Sequence, residues 1–318
     1  MAGIVGLGEA VIDFIPVPSS GDGNLNYQAC PGGSVANLCV AAARLGVPGK
    51  FIGAVGDDFF GEFLKSTLSG YGVDVTGVSS VKTCGTALTF VNVEGSERGY
   101  SFANRPGADK LLEYGHVDLD SIKGADVLHV SSNASAGPVT FETQRRVLEF
   151  AGGLGKAISY DVNYRENNHE SLTSAEKILQ LPLEYATIIK ATEEELELVT
   201  GLSGADGAKS LLRPAGRAEV VLVTQGKRGA DFYTTEDAGH SDVPDIGALD
   251  TTGAGDAFLG GFLAFVIKNG GFEGLNRDIA RKAVDFANRA ASCAVMKRGV
   301  MTSFPTLGEV ERIFSPGR

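Results

Sequence analysis

The chain has 318 residues, 39 acidic against 28 basic side chains, a net charge of −11 and 43% apolar content. The charges are interspersed and leave no basic face, which argues against a nucleic-acid or anionic-membrane partner. Core-forming residues are ample, and the length of 1–318 fits one large α/β domain with an appendage as well as it fits two domains.

In chain order, Gly3 to Gly8 reads as a strand. Gly6-Leu7-Gly8 begins like a dinucleotide-binding loop, but the third glycine is missing and the next residues stay strand-like, so that reading is rejected. Val11 to Cys30 reads as strands and turns. The first helix opens at Ser34, a good N-cap; Val35, Leu38, Cys39, Ala42 and Leu45 form one apolar stripe, and Gly46 is a natural stop. A strand is expected at Phe51 to Val55 and a helix from about Asp58 to Tyr71. Thr83 to Asn104 is a second β stretch: Thr86 to Val93 is β-branched and aromatic, and a turn at Glu94-Gly95-Ser96 precedes a strand at Tyr100-Ser101-Phe102. Further strands read at Val127 to Val130, Ala157 to Val162, Thr187 to Lys190 and Val220 to Thr224. Helices read around Phe141 to Ala151, Glu193 to Thr200, Gly253 to Lys268 and Arg277 to Met296. This alternation predicts a mostly parallel sheet covered by helices, and the two β stretches that break it predict a small separate sheet over a pocket. Gly226-Lys227 is not a P-loop, because Val221 stands where its first glycine is needed and Arg228 where Ser or Thr is needed.

Cys30, Cys39, Cys84 and Cys293 have no CxxC spacing and read as reduced thiols of a cytoplasmic protein. His116, His129, His169 and His240 are scattered without a metal-ligand pattern. No stretch approaches a membrane span, and the start of the chain does not read as a secretion signal, so the sequon at Asn133-Ala134-Ser135 carries no weight.

The chemistry concentrates in Asp250-Thr251-Thr252-Gly253-Ala254-Gly255-Asp256, which leads into an apolar helix. Small residues at a helix start leave first-turn N–H groups open to an anion, and phosphate is the usual one. An acidic residue in that turn would repel a phosphate. It makes sense if Asp256 accepts a proton from an attacking hydroxyl while the neighbouring N–H groups hold the transferring phosphoryl.

Asp250 to Phe262 resembles the C-terminal signature of the ribokinase-like (phosphofructokinase B) sugar kinases. Pro31-Gly32-Gly33-Ser34-Val35-Ala36-Asn37 with Leu45-Gly46 is similar to their N-terminal signature. The resemblance spans essentially the whole chain. It is greatest to fructokinases, in Gly8-Glu9-Ala10-Val11-Ile12-Asp13-Phe14, Asn104-Arg105-Pro106-Gly107-Ala108-Asp109 and Asp161-Val162-Asn163-Tyr164-Arg165. It implies a ribokinase-like three-layer αβα sandwich with a mostly parallel central sheet and a small β-sheet lid from about 11–30 and 83–104. The implied reaction moves the ATP γ-phosphoryl to a hexose hydroxyl, fructose first. 2-Keto-3-deoxygluconate, ribose or a nucleoside are alternatives, and an inactive fructokinase-like scaffold is the alternative of another class.

By the same resemblance Asp256 is the base, and the N–H groups of Gly253, Ala254 and Gly255 stabilise the charge. Asp13, Gly32, Gly33, Asn37, Arg105, Asp161, Asn163 and Arg165 would meet the sugar. Lys190, Thr224, Gly226, Asn288 and Ala291, with Gly253 and Gly255, would meet the nucleotide. Glu195 would organise the water shell of Mg²⁺, with Thr192 where the family has Asn. Asp250, Thr252, Gly299 and Ser303 would surround a monovalent cation, potassium first. A small-molecule sugar and ATP are the implied partners, and a homodimer stays open. Without the resemblance, Asp13 reads as a turn residue, Asn37 as an exposed helix position, and Glu195 as part of a solvated face with Glu193, Glu194 and Glu197.

Overall fold

The computed structural model describes the chain apart from residues 1–2, 19–20, 22–23, 95–96, 104–105, 169–171, 245, 274 and 315–318. Its strands are β1 (Ile4–Leu7), β2 (Val11–Pro16), β3 (Tyr27–Gly32), β4 (Gly49–Gly56), β5 (Val73–Val81), β6 (Leu88–Glu94), β7 (Glu97–Ala103), β8 (Val127–Ser131), β9 (Ala157–Asp161), β10 (Ile188–Thr192), β11 (Val220–Thr224), β12 (Ala230–Thr234) and β13 (Ala238–Ser241). Its α-helices are α1 (Ser34–Arg44), α2 (Phe59–Gly70), α3 (Leu119–Gly124), α4 (Pro138–Gly153), α5 (Leu172–Leu183), α6 (Glu193–Thr200), α7 (Gly204–Leu211), α8 (Ala254–Lys268), α9 (Arg277–Val295) and α10 (Leu307–Phe314).

Runs such as Val220-Val221-Leu222-Val223 are apolar at consecutive positions, which suits a strand buried on both faces. They assemble into a sheet of order β13-β12-β11-β10-β9-β8-β1-β4-β5. Neighbours from β5 to β11 run parallel, and β12 and β13 are antiparallel at one edge. Alternate side chains divide between two helical layers. Ile4, Val127 and Leu222 pack against Leu38, Phe258, Phe262 and Val284 of α1, α8 and α9. Leu128, Ile158, Ile189 and Val221 pack against Ile122, Val147, Leu179 and Leu196 of α3 to α6. The result is the expected three-layer α/β sandwich. A Cβ on Gly6 would lie 2.6 Å from Cys39 Sγ, and one on Gly8 would lie 2.4 Å from Val35 Cγ2. The Gly6-Leu7-Gly8 spacing therefore lets α1 lie close on β1, and serves no dinucleotide.

The two β stretches supply a second sheet of order β3-β2-β6-β7, in which β2 and β6 are parallel. Period-two alternation sends Val11, Asp13 and Ile15 towards the cleft. Phe14 points to the opposite face, stacks on Phe90 at 4.8 Å and meets Tyr27 and Phe60 edge-on. Of the expected Glu94-Gly95-Ser96 turn, residues 95–96 lie outside the described residues.

Some elements differ from expectation. β5, β12 and β13 were not foreseen, nor were α3, α5, α7 and α10. β5 carries Asp74, Thr76, Ser79 and Ser80 and exposes part of its length, so its sequence lacks an apolar run; pairing with β4 makes it a strand. α4 begins at Pro138 rather than Phe141, with proline in the first turn, where its missing N–H is harmless. Ser34 is not the N-cap of α1; Gly33 is, and it supplies no capping side chain.

All four cysteines are free thiols. Among the described residues, no helix is long and apolar enough to cross a membrane. The sequon residues Asn133, Ala134 and Ser135 are buried.

Candidate active site

Strand order reverses between β1 and β8, and a cleft opens there at the C-terminal ends of the parallel strands, where α/β sheets usually bind ligands. Its volume is about 1050 Å³, and both sheets and the start of α8 line it.

α8 starts at Ala254 because Gly253 turns the chain with φ 78°, a conformation glycine adopts without strain. A Cβ at Gly253 would also lie 2.7 Å from Val300 Cγ1. No side chain caps this end. The Ala254 N–H donates to Thr251 O at 3.2 Å, so of the three expected donors those of Gly253 and Gly255 remain for an anion. Asp256 lies in the same turn and borders the cleft. Its Oδ2 accepts from Asn37 Nδ2 at 2.8 Å. Asn37 is buried on the inner side of α1, not exposed, and its Oδ1 has no hydrogen-bond partner among the described residues. Burial pushes the Asp256 carboxyl up to about 7; nearby Asp161 adds to the rise, while Asn37, Lys190 and Arg165 oppose it.

Beneath this turn Lys190, near the end of β10, reaches Asp161, at the end of β9, with Nζ 3.0 Å and 3.3 Å from the two carboxylate oxygens. Lys190 is 6% and Asp161 3% exposed, so each needs the other. Burial disfavours the Lys190 charge, but Asp161, Glu195 and Asp256 outweigh it and raise its pKa. A Cβ on Gly255 would lie 3.2 Å from Lys190 Nζ, which places the ammonium against the first turn of α8.

At the other end of the cleft Asp13 sits in β2, in a strand rather than a turn. Burial pushes its carboxyl up to about 6; Glu9 adds to the rise and a hydrogen bond from Thr89 opposes it. Gly32 faces it, since a Cβ there would be 2.1 Å from Asp13 Oδ2. Gly33 has φ 102° and packs on the Glu9 and Ala10 backbone, where a Cβ would lie 2.4 Å from Glu9 O. Asn163, with φ 39°, is buried and lines the cleft. Arg165 is exposed at the rim and donates to Tyr164 O. Arg105 lies outside the described residues.

Sequence reasoning did not single out Glu9, Thr89, Asp109 or Lys110, which also line this end. Lys110 Nζ lies 2.8 Å from Asp109 Oδ2. Glu9 is 4% exposed, and its partners Ser34 and Ser131 stand 25 and 122 residues away. No local pattern could have joined them.

A family model described as pfkB family carbohydrate kinase matches residues 1–307. The chain belongs to this family. It is 34% identical to "Probable fructokinase-2" of Arabidopsis thaliana over 308 residues, 95% of this chain and 93% of that one. Among solved structures, fructokinase with bound ATP from Xylella fastidiosa matches with TM-score 0.91 and 30% identity, over 98% of this chain and 97% of that one. Fructokinase from Vibrio cholerae O395, in its fructose-, ADP- and calcium-bound form, matches with TM-score 0.87 and 30% identity, over 98% of both chains.

Thr224, Gly226 and Ala291 border the end away from Asp13, as does Asn288. The Asn288 amide is already engaged, donating to Ser241 O at 2.8 Å, and so ties α9 to β13. Glu195 is buried, not part of a solvated face. Its Oε1 accepts from Tyr164 N and its Oε2 from Thr192 N, while the Thr192 hydroxyl accepts from Glu195 N. This reciprocal cap opens α6 and engages both carboxylate oxygens of Glu195. Asp250 Oδ1 accepts from the Thr252 N–H and hydroxyl, and its Oδ2 accepts from Gly299 N at 3.4 Å. Asp250, Thr252 and Gly299 thus come together, whereas the buried Ser303 hydroxyl donates to Val300 O.

Proposed function

We propose that this sugar kinase transfers the γ-phosphoryl of ATP to the primary 6-hydroxyl of fructose. The observation that carries the proposal is Asp256, a carboxylate in the first turn of α8 beside the open Gly253 and Gly255 N–H groups. The sugar lies at the Asp13 end, with Gly32, Gly33, Asn37 and Asn163 around it, and ATP extends towards Gly226. Asp256 takes the hydroxyl proton as the oxygen attacks phosphorus. The two N–H groups and Lys190 stabilise charge on the transferring phosphoryl, and ADP leaves. The fructokinase relatives support the choice of sugar. An ADP-release assay over fructose, 2-keto-3-deoxygluconate, ribose and adenosine tests it: fructose gives the highest kcat/KM, and a preference for another acceptor with fructose inactive overturns it.

The Asp13 sheet acts as a lid, because its β2 and β6 side chains line the cleft from outside the main sheet. Closure would keep water from competing as acceptor. Adding fructose is expected to slow hydrogen exchange across 11–32 and 88–103, and unchanged protection there counts against a lid.

Glu195 would orient the water shell of Mg²⁺ bound with the ATP phosphates, and the metal would supply charge stabilisation there. Asp250, Thr252 and Gly299 would hold a monovalent cation, potassium first, which would fasten the loop before α8. Potassium is expected to raise kcat over sodium or no added monovalent ion; equal rates in all three remove it from the mechanism.

A further inference from the structure

A helix start normally satisfies its first N–H groups with a side chain from the N-cap residue. α1 cannot do so. Its N-cap is Gly33, and the φ of 102° and the 2.4 Å approach to Glu9 O leave no room for a side chain there. The missing cap comes from the exit of β1. Glu9 Oε1 accepts from Ser34 N at 2.9 Å and from Ser34 Oγ at 2.7 Å, and its Oε2 accepts from Ser131 Oγ, at the end of β8, at 3.3 Å. One buried carboxylate therefore joins the ends of β1 and β8 to the first turn of α1. Burial pushes the Glu9 carboxyl above its ordinary range, and Lys110 and the hydrogen bonds from Ser34 oppose the rise. Asn37 lies one turn on, its N–H donating to Gly33 O, and its amide holds Asp256.

We propose that Glu9 is a positioning residue for the phosphoryl-transfer reaction: by capping α1 from outside the helix it sets the Asn37 amide on Asp256, and so aims the base. The inference rests on the kinase reading above. It assigns Glu9 a role through hydrogen-bond geometry rather than through its charge, and this separates it from a purely electrostatic effect. The charged and titratable groups facing Glu9 are Lys110 and, on β2, Asp13. Those facing Asp256 are Asp161 on β9, Lys190 on β10 and Arg165 after β9.

Two conservative variants divide the possibilities. Glu9→Asp keeps the charge but withdraws the carboxylate from Ser34. Glu9→Gln loses the charge but keeps an oxygen to accept from Ser34 and an amide that can donate to Ser131. The expected result for Glu9→Asp is a fall in kcat on the order of ten- to a hundredfold, the scale of an ångström-size misplacement. The KM for ATP should not change, and the acid limb of kcat/KM should move to higher pH, because Asn37 no longer holds the ionised base. Glu9→Gln should restore kcat and the acid limb towards wild type. Lowered thermal stability alone would move neither the limb nor the split between kcat and KM. The Asp256 titration can also be followed by carboxyl ¹³C NMR with no sugar present. A midpoint that rises in Glu9→Asp and returns in Glu9→Gln supports the inference even if the wild type phosphorylates none of the sugars offered, a result that would sink only the functional reading. An unmoved midpoint in Glu9→Asp, or a loss in Glu9→Gln as large as in Glu9→Asp, overturns it.

Discussion

Asp256→Asn is expected to lower kcat by about 10²- to 10⁴-fold, the range typical of positioned base catalysis, with little change in the dissociation constants for fructose and ATP. Asn is nearly isosteric and can still receive the Asn37 amide on its oxygen, so the first turn of α8 should keep its shape. It cannot take a proton from the sugar. Two pH measurements accompany the variant. Burial and Asp161 hold the Asp256 carboxyl near 7, so wild-type kcat/KM should fall as pH drops through that value and the base becomes protonated. The stability effect has the opposite sense. A carboxyl whose folded pKa is raised binds its proton more tightly in the folded state, so wild type loses stability as pH rises from about 4 towards 7. Asp256→Asn escapes that loss and should melt higher than wild type at pH 8, with the gain fading below pH 4. A variant that keeps more than about a tenth of wild-type kcat would make Asp256 a helix-start residue and move the base elsewhere.

Lys190→Met is expected to destabilise the fold by about 3–5 kcal/mol, the usual penalty for removing one partner of a buried ion pair. Asp161 would be left 3% exposed with no cation on its oxygens and Asp256 nearby. The double variant Lys190→Met/Asp161→Leu removes both charges and should recover most of that stability, because two apolar side chains tolerate burial without a partner. Neither variant should turn over normally, since the ammonium under the Gly255 turn is gone in both. Denaturant unfolding separates the effects. A single variant as stable as wild type, or a double variant no more stable than the single one, would mean the pair carries little of the fold's stability.

The parallel strands other than β5, and the start of α8, were legible in the sequence because they rest on local rules. Val220 to Thr224 is apolar at every position up to its last, which identifies a strand buried on both faces whatever it packs against. Gly253-Ala254-Gly255-Asp256 combines a glycine turn, small residues and a carboxylate within one helical turn, which marks a helix start open to an anion, while the resemblance of Asp250 to Phe262 to a kinase signature supplied the reading of Asp256 as a base. The family likewise followed from motifs at both ends of the chain.

Other features depended on residues far apart in the chain, and only the tertiary structure decided them. β5 carries a strand's hydrogen bonds without its apolar pattern, so its pairing with β4 defines it. Ser34 has the chemistry of an N-cap, yet Gly33 takes that position, because the backbone of Glu9 presses against it and the Glu9 carboxylate comes across to do the capping. Glu195 looks solvated among its acidic neighbours, but helix periodicity turns it inward onto Tyr164 and Thr192. The sequence by itself named candidates for the chemistry, because side-chain type, local turn geometry and the family signatures are all readable along the chain. Which of them share a cleft, and hence how far burial and the Asp161 charge lift Asp256 towards neutrality, depends on desolvation and Coulomb terms set by distances between strands that only the folded chain fixes.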